Sequence, residues 1–299
     1  MTRGPSGRCV IVGDVMMDVT ARISTAIEYA SDTPADVSVQ PGGSAANTAA
    51  WMAASGHAAT FVGCVGDDAF GRDARALLEA AGVETRLAVS TVRPTGTCVV
   101  IVDGQHERTM FPDKGANDEL DASTVVALGL VPGDHVHLSG YVLLNPRARQ
   151  TGLRILQHAR SAGATTSLDP ASAGPLRQQR DFVLDALPMV DIVIANEDEA
   201  SVLTGAPEPL DAVVLLAELV PTAVVKRGSL GVVARSGPES VNQSADPATV
   251  IDTTGAGDAF GAGFLSVWLS GGTLAEAVRA GQHLAVEAVG RVGAGPLSR

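Results

Sequence analysis

Apolar runs recur along the chain at residues 9–13, 59–65, 135–139, 165–169, 192–195 and 223–226, with helical segments between them. Continuous apolar runs of strand length are what strands buried on both faces require. Helical spacing is clearest at residues 45–55, closed by Gly56, and at 70–81, closed by Gly82. Glycine just past the last turn is the usual left-handed stop. The final third adds a strand at 231–235 and two long helices, at 257–270 and 274–289. This alternation predicts an α/β fold with a doubly wound, mainly parallel sheet covered on both sides.

Two stretches interrupt it. Residues 19–41 hold short alternating runs at 20–27 and 36–40 joined by a polar turn, and residues 91–112 hold runs at 96–102 and 106–111 around Asp103-Gly104. Asp-Gly between β-prone runs is a strong hairpin signal. Four short strands from two insertions in the same half of the sheet predict a small separate sheet, whose natural place is over an active site. The alternative is that both hairpins extend the main sheet. The expected division is a core of residues 1–18, 42–90 and 113–299 and a β lid of residues 19–41 and 91–112.

Composition narrows the function. At 299 residues the chain can hold one large α/β domain with a small appendage, and with 45% hydrophobic but 3% aromatic residues its core must be built from Ala, Val, Leu and Ile. A net charge of −12 argues against nucleic acid or an anionic membrane as a main partner. It also means that any phosphate site must be locally basic or lined by amides. Lys114 and Lys226 are the two lysines among 21 basic residues, a compositional bias rather than a design. Cys9, Cys64 and Cys98 sit in apolar sequence without metal-ligand spacing and read as buried thiols in a reducing compartment. No signal-peptide h-region or membrane-length apolar window is present, so a cytoplasmic protein is expected.

The chemistry concentrates at residues 252–263, Asp-Thr-Thr-Gly-Ala-Gly-Asp-Ala-Phe-Gly-Ala-Gly, where a glycine-rich loop turns into a helix and sets Asp258 at its start. A helix start offers free N–H groups and the positive end of the macrodipole, which favour an anion such as phosphate. An acid there either caps the helix or works beside a bound phosphate as a proton acceptor. Capping needs no glycines at 255 and 257, whereas a ligand approaching the backbone does. The run is not a Rossmann fingerprint, since Phe260 stands where the third glycine belongs, and the chain has no Gly-Lys-Ser/Thr triplet. What fits is a phosphate-binding turn carrying its own general base, suited to phosphoryl transfer onto a hydroxyl.

A second glycine motif, Pro41-Gly42-Gly43-Ser44-Ala45-Ala46-Asn47, opens the first long helix. In this order and at this distance the two stretches resemble the signature motifs of the PfkB, or ribokinase-like, family of sugar and nucleoside kinases. The resemblance extends to Gly13-Asp14 with Asp18, to Lys114-Gly115-Ala116-Asn117, to Asn196-Glu197-Asp198-Glu199 and to Gly228-Ser229-Leu230-Gly231, so it spans nearly the whole chain.

It implies a three-layer ribokinase-like core with a small β lid, and transfer of the γ-phosphoryl of ATP to a hydroxyl with magnesium. It makes Asp258 the catalytic base and the amides of Gly255, Ala256 and Gly257 the anion hole. Asn196 and Glu199 match the family's Asn-x-x-Glu motif, which acts around magnesium and the phosphates, Glu199 through water. Glu197 and Asp198 read as the solvated first turn of a helix. Lys226, Gly228 and Gly231 fall on the nucleotide-binding edge, although Lys226 could equally be a surface lysine. Asp18, Gly42, Gly43 and Asn47 match positions that bond the acceptor's hydroxyls, and a carboxylate with an amide suits a polyol. Asp14 is either a further contact or a strand-end turn residue. Arg108 would favour an acidic or phosphorylated substrate if it pointed inward; a solvated, outward charge is the preferred reading. Asp252 and Thr254 match part of a monovalent-cation site that carbonyls near Val289 and Gly293 to Gly295 could complete, so stimulation by potassium is expected.

The chain also departs from ribose-specific members. Gly140-Tyr141 stands where those have a glutamate, and Met16 stands where an asparagine is expected, so ribose itself is in doubt. The chain ends at Arg299, soon after Gly293-Ala294-Gly295, without the C-terminal helix of many relatives. The main expectation is a kinase for a small sugar or sugar derivative. A nucleoside kinase, with Tyr141, Met16, Met110 and Phe111 as candidates for the wall against the base, and a regulator that binds without catalysis are the alternatives. The lid's exposed strand edges invite pairing with a second copy, a homodimer that the sequence leaves open.

Overall fold

In a computed structural model, which describes residues 7–105 and 107–296, the chain forms two sheets. The strands are β1 (Cys9–Val12), β2 (Met16–Arg22), β3 (Asp36–Gly42), β4 (Ala59–Gly66), β5 (Glu84–Ser90), β6 (Gly96–Val102), β7 (Arg108–Asp113), β8 (His135–Ser139), β9 (Thr165–Asp169), β10 (Ile192–Asn196), β11 (Thr222–Lys226), β12 (Val232–Ser236) and β13 (Glu239–Gln243). The helices are α1 (Ser44–Ala54), α2 (Ala69–Ala80), α3 (Ser123–Val126), α4 (Gly140–Leu144), α5 (Arg149–Ser161), α6 (Ala173–Ala186), α7 (Glu197–Thr204), α8 (Pro209–Leu219), α9 (Ala256–Leu269) and α10 (Leu274–Val289). His106, the expected start of the second hairpin strand, and Arg299 lie outside the described residues.

The large sheet has nine strands in the order β13-β12-β11-β10-β9-β8-β1-β4-β5. It is parallel from β11 to β5, with β12 and β13 antiparallel at one edge. Its strands alternate between two apolar layers, which is why they read as continuous apolar runs. In β1, Val10 and Val12 pack into the layer with Leu138, Leu156 and Leu168, while Cys9 and Ile11 pack opposite with Trp51, Phe61 and Phe264. All three cysteines are buried and free, and burial pushes the Cys9 thiol up to about 12. Among the described residues no single helix is long and apolar enough to cross a membrane.

Strands β5 and β13 had no counterpart among the expected strands. Both are edge strands with mixed burial, so neither presents the unbroken apolar run that a central strand must have.

The two insertions form their own sheet, in the order β3-β2-β6-β7, instead of extending the large one. β2 begins at Met16, four residues before the expected start, because Met16 already belongs to this sheet's own small cluster with Cys98, Val100 and Val102. Asn117 ties the sheet to the core: its Nδ2 donates to the Val15 carbonyl at 2.9 Å and its Oδ1 accepts from the Val15 amide at 3.0 Å. Order in the large sheet reverses between β8 and β1, and loops leaving the carboxyl ends there open a crevice, the usual ligand position in such sheets.

Candidate active site

Two glycine turns build the centre of the site. Gly43 has φ of +96°, and a Cβ there would stand 2.5 Å from the Asp14 carbonyl oxygen. That close approach brings the start of α1 against the end of β1. Gly255 has φ of +77°, and a Cβ there would meet the Ala294 carbonyl oxygen at 2.3 Å. α9 starts there, on Gly255 as its N-cap, with no side-chain cap, and Asp258 lies in its first turn.

Asp258 does not cap its own helix. It accepts from Ser44 Oγ at 2.7 Å and from Asn47 Nδ2 at 3.1 Å, both on α1, more than 200 residues away in sequence. Burial pushes its carboxyl up to about 7; the bonds from Ser44 and Asn47 oppose that rise and the charge of Asp169 adds to it. A carboxyl group that titrates near neutrality at a helix start can exchange a proton with a hydroxyl. Ser44 was not among the expected site residues, and the Asn47 amide reaches this carboxylate instead of being left free for an acceptor hydroxyl.

Lys226 is not a surface lysine. Its side chain is 15% exposed and its Nζ lies 3.0 Å from Asp169 Oδ2. The ammonium stands against the glycine loop before α9, 3.2 Å from where a Cβ on Gly257 would be. Burial alone would lower its pKa, but Asp169 and Glu199 outweigh that and hold it raised. Asp169 escaped the sequence reading, although an acid closing a parallel strand at its carboxyl end was a usable signal.

Asn196 and Glu199 make a complete capping box on α7. Asn196 Oδ1 accepts from the Glu199 amide, Glu199 Oε2 from the Asn196 amide and Glu199 Oε1 from Asn196 Nδ2, each at 2.8 Å. Glu199 is buried, which raises its carboxyl, and Asp169 adds to the rise. Glu197 and Asp198 are exposed, as expected for a solvated first turn.

On the other side of Asp258, Lys114 pairs with buried Asp14 and lies 4.2 Å from the centre of the Tyr141 ring. Asp14 is thus an ion-pair partner and not only a turn residue. The Asp18 carboxylate packs directly on Gly42, and burial pushes it up to about 6. The four candidates for a nucleoside wall do not assemble: Met16 is buried within the small sheet, Lys114 covers Tyr141, and Met110 and Phe111 are 53% and 56% exposed.

A cleft of about 680 Å³ runs from Lys226, Gly228, Ala256 and Gly257 to an apolar end at Val250 and Val286. Gly228 lines it with open space at its Cα. Gly231 also lines it, but serves packing as well, since a Cβ there would meet the Gln243 carbonyl at 2.0 Å. Ala256 N, expected in the anion hole, donates a long 3.3 Å bond to the Thr253 carbonyl.

One expectation is corrected at Asp252. Arg108 points inward and donates through Nη2 to Asp252 Oδ1, so it is neither a solvated charge nor free to bind an acceptor. The same Oδ1 accepts from the Thr254 amide at 2.7 Å, and Oδ2 accepts from the Gly293 amide at 3.1 Å. The Val289 carbonyl takes the amides of Ile251 and Asp252, at 2.7 and 3.2 Å. Both Asp252 oxygens and the Val289 carbonyl therefore already have protein donors. Burial opposes ionisation of Asp252, but Arg108 and the two amides hold its carboxyl below the usual range.

A family model described as pfkB family carbohydrate kinase matches residues 6–299. The chain is 31% identical over 291 residues to the ATP-dependent ribose-1-phosphate kinase of Halopiger xanaduensis, covering 96% of this chain and 93% of that protein. It is 31% identical over 233 residues to a fructokinase of Klebsiella pneumoniae, covering 76% of each. Among solved structures, adenosine kinase from Sinorhizobium meliloti superposes with a TM-score of 0.85 at 29% identity, covering 97% of this chain and 96% of that one.

Proposed function

The chain belongs to the pfkB family of carbohydrate kinases and is a sugar or nucleoside kinase of that fold, and from that premise we propose that it moves the γ-phosphoryl of ATP to a hydroxyl of a small sugar or sugar derivative with Asp258 as general base. The observation that carries this reading is the Asp258 carboxylate, pushed up to about 7 by burial and held by Ser44 and Asn47 at the mouth of an amide-lined loop. As the acceptor oxygen attacks, its proton passes to Asp258. The charge on the moving phosphoryl is met by the amides of residues 255–257 and by the Lys226 ammonium beside Gly257.

ATP takes the cleft, with its phosphates at Gly228, Lys226 and Gly257 and its base at the apolar end. For magnesium the donor set fits a hydrated ion. Among the described residues no three His, Cys, Asp or Glu side chains gather to cage a metal, yet Asp169, Glu199 and Asp258 all act on one ammonium, Lys226. Asp169 and Glu199 would hold the ion through its waters, and when bound it neutralises phosphate oxygens. Potassium, implied at Asp252 and Thr254, does not fit a carboxylate already carrying three donors, and no step depends on it.

A sugar is favoured over a nucleoside because the acceptor end offers paired polar groups, Asp14 with Lys114 and Asp18 beside Gly42, and no open aromatic face. The ribose 1-phosphate of the Halopiger relative and the fructose of the Klebsiella relative are the first acceptors to try. In a panel of ribose, ribose 1-phosphate, fructose and adenosine followed by ADP release, a sugar is expected to turn over and adenosine is not. Turnover of adenosine alone would move the acceptor class to nucleosides, and release with none of them would count against the reading.

The small sheet, with residues 19–41 and 91–112, serves as the lid. Its outer face carries a cross-strand row of Val39, Val19, Val99 and Phe111, of which Val39, Val99 and Phe111 are 49%, 43% and 56% exposed. A second copy of the chain would cover this apolar face, giving a homodimer through the lids. Sedimentation at micromolar concentration is expected to give a dimer for the wild type and a monomer for Phe111→Glu; a monomeric wild type would refute the pairing.

A further inference from the structure

Strand β7 is exposed along its whole length, yet a cation tethers it at each end. Lys114, just past its last residue, pairs with Asp14, and Arg108, its first, pairs with Asp252. The Asp252 side chain is 7% exposed and lies on the loop that leads directly into Gly255, Ala256 and Gly257. Through Thr254 and Gly293 its carboxylate also joins that loop to the one after α10. A buried carboxylate in this position needs a positive partner. The guanidinium supplies it, from a strand 144 residues away that belongs to the other sheet.

We propose that Arg108 replaces a monovalent cation in this protein. Its guanidinium neutralises Asp252 and so holds the loop that carries the anion hole, which makes the site independent of potassium and dependent on the small sheet being closed. Arg108 is a positioning residue: it touches Asp252, not the reacting atoms. Adding a potassium ion beside Asp252 would place a second positive charge against the guanidinium, so the two exclude each other. Closure of the sheet and ordering of the anion hole are then one event.

The inference rests on the kinase reading of the site, and two measurements separate the two. Wild-type turnover of the best acceptor is expected to be equal in potassium, sodium and tetramethylammonium buffers at saturating magnesium. Arg108→Gln is expected to lose about 10²-fold in kcat/KM, the scale of a misplaced catalytic loop, and to recover much of it in potassium but not in tetramethylammonium. The smaller Arg108→Ala is expected to respond to added guanidinium as well. Without any acceptor, potassium should raise the melting temperature of Arg108→Gln and leave the wild type unchanged. Arg108→Lys, which keeps the charge, should stay cation-insensitive and guards against a variant that fails to fold. Potassium stimulation of the wild type, or an Arg108→Gln loss that no cation restores, overturns the proposal. Absent turnover with the melting pattern intact would instead count against the kinase reading.

Discussion

Asp258→Asn is expected to lower kcat by about 10²- to 10⁴-fold, the usual share of a positioned general base, with ATP affinity hardly changed. The introduced amide keeps the shape of the carboxylate, and the Ser44 hydroxyl can turn to accept from its nitrogen, so the loop should keep its place. The variant isolates proton acceptance. In the wild type kcat/KM should fall as pH drops below about 7, where Asp258 takes up a proton, and this acid limb should vanish in the variant. Stability supplies a control with the opposite sign. The folded-state pKa, about 7, lies above the ordinary 3.8, so the folded chain binds this proton more tightly than the unfolded chain does. Wild-type stability contributed by this group is therefore lost as pH rises from about 4 to about 7. The variant, which has no charge to bury, should melt above the wild type at pH 8, and by less at pH 5. Near-normal turnover in a well-folded Asp258→Asn protein would sink the mechanism.

The second large effect is expected at Lys226. Lys226→Met keeps the length and apolar stem of the side chain but removes the ammonium beside Gly257, and a loss of about 10²- to 10³-fold in kcat is expected, comparable to deleting one anion-hole donor. It also strands Asp169 and Glu199 without their counter-charge. Breaking a largely buried pair from one side costs about 3–5 kcal/mol. Without the ammonium, which holds it down, the Glu199 carboxyl rises further, so the stability loss should be larger at pH 8 than at pH 5. The double variant Lys226→Met/Asp169→Asn removes both charges and should recover most of the melting temperature while staying slow. Recovery of turnover together with stability would mean that Lys226 is structural only.

The parts of the fold that sequence revealed were those with local periodicity. β8 and β9 occur at their expected boundaries and α10 at residues 274–289, because a strand covered on both faces and a helix opened by a capping box each write their pattern into neighbouring residues. The edge strands β5 and β13 were missed because one side of each faces no partner strand, which relaxes the need for apolar residues. β2 was misplaced for a related reason: its start at Met16 and Met17 is buried on both faces and lacks the apolar-polar alternation that marks the rest of the strand.

At the site, the glycine turn before Asp258 and the turn before α1 were legible because their backbone demands can be met only by certain residues. The side-chain pairings were not. Asp169 with Lys226 spans 57 residues and Arg108 with Asp252 spans 144. Nothing in the neighbourhood of Arg108 distinguishes a solvated hairpin charge from one that reaches another sheet.

By itself, the sequence determined a doubly wound α/β chain with two hairpin insertions and an acid set at a glycine-rich helix start, since periodicity and glycine placement are local consequences of backbone geometry. Only the tertiary structure decided that Asp258 is held by α1, that Lys226 stands beside Gly257 and that Arg108 pairs with Asp252. Those are electrostatic choices among charges that meet after folding, and a charge's partner depends on where distant loops converge, not on its neighbours in the chain.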